Sequence, residues 1–322
     1  VRFLIDSGFD INRKNSTDRT VLQDVALEGN YKMFQILMNH KAAFNIKDSY
    51  GKTVLFDAIE GGNLSILKDV INNVDSLNIL DENHQTVLFK AVLREDMTLA
   101  QTLIVNGINI NFLDKDGQNV LFNTILQGSK NIPLIELLLK KGINLNIVDN
   151  NNKTIIDELL HIHELQKNNP KNLEGKYKII SPEKDYLSLA LLFIENGLDI
   201  DEIHADGKTS LQKELDNKNF TNVEFLIDCG ADINVCDENN KNIIYKEVMK
   251  GYSNYKMIDF LILKGAILEA RDFDEKTVID DIVEIIAIQK NFKTTNAFFS
   301  GIIKEDERYD VLLKKVLTYR PD

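Results

Sequence analysis

Apolar residues recur along the chain in pairs of short runs, each at helical spacing, with polar turns between the pairs. In residues 48–80 the first run falls at residues 54–59 and the second at residues 64–71, and the apolar side chains of each run share one helical face. Gly61 and Gly62 separate the two runs. Isolated helices of about nine residues are marginal in water. The pattern therefore predicts short paired helices that are stable only when neighbouring pairs cover their apolar faces.

A polar turn that closes in Thr or Asn precedes each pair and sets the register of the repeat. Successive markers are 33, 33, 33, 35, 55, 33 and 35 residues apart, so additional residues fall in the helical part of a unit and not in the turn. We interpret residues 1–322 as a single array, with a partial repeat at 1–15, repeats that start near 16, 49, 82, 115, 150, 205, 238 and 273, and long inter-helix insertions at about 168–181 and 291–304. The markers are Thr20, Thr53, Thr86, Asn119, Thr154, Thr209, Asn242 and Thr277.

The turn residues have identifiable roles. Asp48 can accept hydrogen bonds from backbone N–H groups downstream of it, and Gly51 can adopt a positive φ. The Thr53 hydroxyl is predicted to cap the first helix of its unit. An acidic residue recurs five positions before most of the markers. A ladder of calcium sites is conceivable, but the turn role explains this register without an ion.

A 33-residue unit of turn, helix and helix resembles the ankyrin repeat. The family's Thr-Pro-Leu-His motif is matched by Thr-Val-Leu-Phe at residues 53–56 and 86–89, and its Gly-Ala-Asp-x-Asn ending by residues 230–234. The resemblance covers essentially the whole chain. It implies an all-α fold, an α-solenoid of about eight stacked helix-turn-helix repeats with short hairpin-like turns. Val and Phe in place of the motif's Pro and His predict apolar packing where the family has polar cross-links.

A larger duplication lies over the short repeat. Shifting the sequence by 123 residues aligns 153–160 with 276–283 without gaps, and it aligns Tyr186 with Tyr309. The shift predicts two units with a long first helix, three repeats apart.

Composition and charge narrow the class of partner. The 322 residues include 43% hydrophobic residues, enough for a core, and 38 Lys+Arg against 50 Asp+Glu give a net charge of −12. An acidic chain is unsuited to nucleic acid, which attracts dense Lys and Arg patches. No apolar run is long enough to span a membrane. We therefore expect a protein partner with a neutral or basic surface.

The residues that could carry chemistry do not converge. His161 and His163 are two positions apart on a predicted helix and so lie on different sides of it, which disfavours metal chelation. Cys229 and Cys236, the two cysteines, have no second Cys pair or His nearby, which indicates plain thiols and a reducing compartment. We expect no enzyme activity, no cofactor and no metal in this chain.

The resemblance implies that the contact surface is the concave side, formed by the turn tips and the ends of the first helices. Five of the implied contact residues are apolar at positions that should face solvent: Tyr50, Leu93, Leu126, Met249 and Phe273. They could instead pack on neighbouring turns. Carried over by position, the predicted partner-binding residues are Tyr50, Lys52, Asn83, Gln85, Leu93, Arg94, Asp116, Gln118, Leu126, Lys153, Lys241, Met249 and Phe273.

These observations predict a non-enzymatic protein–protein interaction scaffold that binds its partner on the concave face. One alternative is the targeting or regulatory portion of a larger enzyme or secreted effector, whose catalytic domain lies outside residues 1–322. Another is a small-molecule or ion site at the long unit that begins near Thr154. The expected location is the cytoplasm, or the host cytosol for a secreted effector.

Overall fold

The computed structural model describes residues 7–168, 185–291 and 308–319. In these ranges the regular elements are helices, accompanied by two isolated antiparallel bridges that close turns, Cys236 with Asn242 and Arg271 with Thr277. The predicted all-α class is confirmed. The predicted partial repeat at 1–15 is described only from residue 7 onward. The predicted insertions at about 168–181 and 291–304 lie outside the described residues, apart from the first residue of each.

The chain divides into two compact units, residues 1–199 and 200–322. In the first unit, helices alternate between a first and a second helix of each repeat, and the first four first helices pack on one another in sequence order. The first helices are α1 (Val21–Leu27), α3 (Val54–Gly61), α5 (Val87–Leu93), α7 (Val120–Thr124) and α9 (Ile155–Asn168). The second helices are α2 (Tyr31–Asn39), α4 (Leu64–Ile71), α6 (Met97–Val105), α8 (Ile132–Lys140) and α10 (Leu187–Glu195).

The second unit, considered by itself, has the same helix-turn-helix plan. Each first helix packs on the second helix of its own repeat, and α13 also packs on α15. Its first helices are α11 (Ser210–Asp216), α13 (Ile243–Met249) and α15 (Val278–Asn291), and its second helices are α12 (Phe220–Asp228), α14 (Tyr255–Leu263) and α16 (Tyr309–Leu317). The stacking confirms the solenoid class of fold; one continuous array over residues 1–322 stays a prediction.

Apolar residues of the first helices form the core, as their spacing predicted. Leu22, Leu55 and Leu88 are the second residues after their markers, and each is at most 1% exposed. Phe56 and Phe89, which stand where the family motif has His, are equally buried. Burial of one such side chain stabilises the fold by about 1.5–3 kcal/mol. Apolar packing therefore replaces polar cross-links at these positions, as expected.

The predicted cap at Thr53 is wrong. Its hydroxyl makes no cap hydrogen bond and, like that of Thr86, is buried without any partner among the described residues. The reason is the residue three positions later. Thr154 donates its hydroxyl to Asp157 Oδ2 at 3.0 Å, whereas the phenyl ring of Phe56 offers Thr53 no polar atom.

The 123-residue duplication is visible in the hydrogen bonds. Tyr186 Oη donates to the Leu126 carbonyl at 3.2 Å, and Tyr309 Oη donates to the Met249 carbonyl at 2.9 Å. A second pair of hydrogen bonds is related by the same shift of 123 residues. Nδ2 of the cap residue Asn119 donates to Asn144 O at 2.9 Å, and Nδ2 of Asn242 donates to Ile267 O at 2.8 Å. Contacts between distant residues are therefore repeated at the predicted interval.

A kink after the first helix is duplicated as well. In each copy a short 3₁₀ segment joins the first helix to the second, Ile125–Asn131 and Tyr252–Asn254. Gly128 has φ 61° and ψ −152°, and Gly251 has φ 88° and ψ −172°. A residue with a Cβ is strained in this region, so glycine is required at both kinks.

Candidate interaction surface

Six of the eight turns are built around one carboxylate. Asp48 Oδ1 accepts the backbone N–H groups of Tyr50 and Lys52, both at 2.9 Å. Donor–acceptor distances of 2.8–3.0 Å recur in the equivalent bonds of Asp81, Asp114, Asp149, Asp237 and Asp272. The predicted turn role of the recurring acids is confirmed.

These hydrogen bonds also set the acidity of the carboxylates. Burial acts against ionisation of Asp149, but the backbone N–H groups of Lys153 and Asn151 and the amide of Gln118 lower its pKa below the usual value. At Asp272, the backbone N–H of Lys276 is the main cause of a lowered pKa. Asp149 and Asp272 therefore stay ionised at neutral pH and hold their tips in one shape.

Backbone hydrogen bonds join successive tips of the first unit. The Ser49 N–H donates to Thr17 O at 3.1 Å, and the Glu82 N–H donates to Tyr50 O at 3.1 Å. Equivalent bonds of 3.2 and 2.9 Å join Lys115 N to Asn83 O and Asn150 N to Asp116 O. The tips thus form a ladder whose outward side chains are held at fixed spacing.

Several predicted contact residues are engaged within the chain. The amide of Gln85 donates to Asp114 Oδ2 at 3.3 Å, and the amide of Gln118 donates to Asp149 Oδ2 at 2.8 Å. In the second unit, Lys241 Nζ lies 3.5 Å from Asp272 Oδ2. Each of these residues precedes its marker and reaches the turn acid of the next repeat. They link neighbouring repeats, and Gln118 is only 9% exposed.

The ends of the first helices present an apolar row in the first unit. Leu93 is 47% exposed, and Leu27, at the same distance from its own marker, is 41% exposed. Between them in repeat order lies the end of α3, where Glu60 pairs with Lys52 at 3.3 Å. Arg94 Nη1 donates to the Glu60 carbonyl at 2.7 Å and so ties the end of α5 to the end of α3.

Leu126 does not face solvent, so that prediction is wrong. It has no exposed surface, because it lies inside the 3₁₀ segment that follows α7 and its carbonyl accepts the hydroxyl of the buried Tyr186. Met249, its counterpart 123 residues later, is half-buried for the same reason, since Tyr309 bonds its carbonyl. The row of first-helix ends is therefore interrupted at each kinked unit.

The other predicted residues lie at the tips. Tyr50 is 49% exposed and Phe273 is 75% exposed. Asn83 and Asp116 are also exposed, whereas Lys153 is half-buried. We call the exposed tip residues and first-helix ends of the first unit the turn face; its members are Leu27, Tyr50, Asn83, Leu93, Arg94 and Asp116.

Leu27, Leu113 and Val148 are among the exposed apolar residues that the sequence analysis missed. Leu27 could have been found, because it has the same offset from Thr20 that Leu93 has from Thr86. Leu113 and Val148 are 43% and 47% exposed and each directly precedes a turn acid. The sequence could have indicated them, because an apolar residue stands there at the position that Lys14 and Lys47 occupy in the first two repeats.

Among the described residues no cluster of three or more His, Cys, Asp or Glu side chains could hold a metal ion. Cys229 and Cys236 are free thiols, and burial raises the pKa of Cys229 to about 12. Every helix in residues 7–168, 185–291 and 308–319 is too short or too polar to cross a bilayer.

Comparison with known proteins gives one family. A family model described as ankyrin repeats, three copies, matches residues 1–83 and 88–163. No curated protein matches the chain significantly. The matched residues contain helices α1 to α8 apart from Val87 at the start of α5, the first part of α9, and the residues that form the ladder of tips.

Proposed function

We propose, from the premise that this chain belongs to the ankyrin-repeat family, that it is a non-enzymatic scaffold which binds a protein partner on the turn face. Ankyrin repeats are in general protein–protein interaction modules. The observation that carries the proposal is that three exposed apolar side chains, Leu27, Tyr50 and Leu93, stand on a fixed backbone. The hydrogen-bonded ladder holds Tyr50, and helices α1 and α5 carry Leu27 and Leu93. Rigid apolar anchors surrounded by polar groups are typical of binding hot spots.

The charge of the chain supports a partner with a neutral or basic surface. Net −12 gives an attractive field for a positive surface and repels nucleic acid. Binding should therefore weaken as salt concentration rises, because ions screen the field over about 10 Å at 0.1 M. A membrane surface rich in anionic lipid is disfavoured for the same reason.

The test uses a partner captured by cross-linking to the intact chain and then purified. We expect the triple variant L27S/Y50S/L93S to bind it at least about 30-fold more weakly, since hot-spot side chains contribute about 2 kcal/mol or more each. The matched control is V105S/L191S, which removes apolar side chains of 66% and 38% exposure from second helices. Unchanged binding by the triple variant, or an equal loss in the control, would refute the turn face as the contact surface.

The alternative, in which these repeats target or regulate a catalytic domain encoded outside residues 1–322, uses the same face. The length of the full reading frame distinguishes it from a scaffold made of repeats alone.

A further inference from the structure

One guanidinium joins the first two repeats through carboxylates of different exposure. Arg19, the last residue of the first turn, donates through Nη2 to Asp57 Oδ1 at 2.9 Å and through Nε to Asp24 Oδ1 at 2.9 Å. Its Nη1 lies 3.4 Å from Asp48 Oδ2. Asp24 belongs to α1, in the same repeat as Arg19, whereas Asp48 and Asp57 belong to the turn and the first helix of the next.

Asp57 is the most confined member of this cluster. It is 1% exposed, and its Oδ2 is buried without a hydrogen-bond partner among the described residues. A buried carboxylate is tolerated when both oxygens are satisfied, and one unsatisfied oxygen adds to the cost of burying the charge. The neutral acid would bury less charge and would gain an O–H donor at that oxygen.

The surrounding charges do not compensate this cost. The charged groups that face Asp57 are Arg19 and, on the acidic side, Asp48 and Glu60. Arg19 also forms an ion pair with Asp24, and the nearby Lys52 is paired with Glu60 instead of Asp57. One arginine is therefore shared among three carboxylates, two of which are buried. Burial, opposed by the hydrogen bond and charge of Arg19, raises the pKa of Asp57 to about 6.

We propose that the Arg19–Asp57 pair is a pH-sensitive joint between the first two repeats. Proton uptake by Asp57 weakens its ion pair with Arg19 but removes the larger cost of burying the charge, so the joint opens less readily. The inference goes beyond the proposed function and does not depend on it. The joint shares Asp48 with the turn that presents Tyr50, so it lies in the repeat that carries part of the turn face.

The sign follows from linkage. A carboxyl whose folded pKa is raised binds its proton more tightly in the folded state, so stability rises as pH falls through the folded value. With a folded pKa of about 6 against 3.8 for the unfolded chain, the equilibrium constant for keeping the joint closed should rise about tenfold between pH 7.5 and pH 5.0. Below pH 3.8 no further gain is expected.

The experiment uses the full chain with ¹³C-labelled aspartate carboxyls. We expect the Asp57 signal, assigned from its loss in D57N, to titrate near pH 6. Hydrogen exchange of α1 and α3 amides, corrected for intrinsic rates, should show about tenfold greater protection at pH 5.0 than at pH 7.5 in the parent chain and a change below twofold in D57N.

Asp24→Asn is the matched control, because Asp24 bonds the same arginine but its side chain is 49% exposed. This variant should keep the direction of the response at a smaller size, because two carboxylates instead of three then share Arg19. Titration of Asp57 near pH 4, or an undiminished response in D57N, would overturn the proposal. If D57N does not fold, the carboxyl titration of the parent chain, with signals assigned from D24N and through-bond spectra, decides the question. Neither outcome bears on binding by the turn face.

Discussion

The Thr53 hydroxyl is buried and unpaired, so its removal should stabilise the protein. Thr53 has no exposed surface, and its Oγ1 has no partner within the described residues. The residue starts α3 in an extended conformation, with φ −107° and ψ 175°, which the β-branched Val adopts readily. Thr53→Val therefore replaces an unsatisfied hydroxyl with a methyl group of similar volume.

The size of the effect follows from two terms. An unsatisfied buried hydroxyl costs about 1–3 kcal/mol, and loss of a Thr cap usually costs about 1 kcal/mol. The second term does not apply here, because the Thr53 side chain makes no cap bond. We expect T53V to raise the free energy of unfolding by about 1 kcal/mol.

Thr154→Val is the matched control, since Thr154 occupies the same position and its hydroxyl bonds Asp157 Oδ2 at 3.0 Å. It should lower the free energy of unfolding by about 1 kcal/mol. The chain has no Trp, so urea unfolding is followed by far-ultraviolet circular dichroism. Repeat arrays can unfold in steps, so hydrogen exchange in α3 and α9 should accompany it. Loss of stability in T53V of the size seen in T154V would refute the assignment of the hydroxyl as unpaired.

Three further changes have expected outcomes. Gly61→Ala should destabilise the protein by about 1–3 kcal/mol despite the higher helix propensity of Ala, because the new Cβ would lie 2.3 Å from Ala26 O. Thermal unfolding measures the effect, and a rise in the midpoint temperature would contradict the close approach. Tyr186→Phe should cost about 1–2 kcal/mol by removing the buried hydrogen bond to the Leu126 carbonyl, with faster exchange confined to α7 and α8; exchange spread over the whole unit would contradict this. The pKa of Asp149 is lowered, so its contribution to stability is present above pH 3.8 and is lost as pH falls through the folded value. Asp149→Asn should therefore make the free energy of unfolding less dependent on pH below pH 3.8. An unchanged pH dependence in that range would count against the prediction.

The turns were predictable because their interactions are local. Asp48 bonds backbone groups two and four residues away, so residue type and spacing suffice. The helices were predictable for a related reason: a period of 33 residues with two apolar runs leaves few ways to bury both faces. His84, which stands 33 residues after Gly51 in the equivalent position of the next turn, has φ 56°, as Gly51 has φ 75°.

Exposure of the first-helix ends was less predictable, because it depends on residues far along the chain. Leu93 and Leu126 have the same offset from their markers, yet Leu93 is 47% exposed and Leu126 is fully buried. The difference arises from Tyr186, 60 residues after Leu126. Gln85 and Gln118 likewise seemed free to contact a partner, but each bonds the turn acid of the next repeat. Periodicity aligns equivalent positions and does not tell which of them a neighbour covers.

The two copies of the 123-residue duplication show how far such neighbour effects extend. The copies differ at many positions, yet each reproduces the bond from its tyrosine to the preceding kink and from its Asn cap to the following loop. The tyrosine bonds join a repeat to its neighbour, and the Asn bonds lie within one repeat. Each local arrangement is therefore determined by a repeat and the one beside it, as expected when stability is a sum of nearest-neighbour interfaces. It follows that the kinked sequence itself covers the end of the first helix in both copies, fully at Leu126 and partly at Met249.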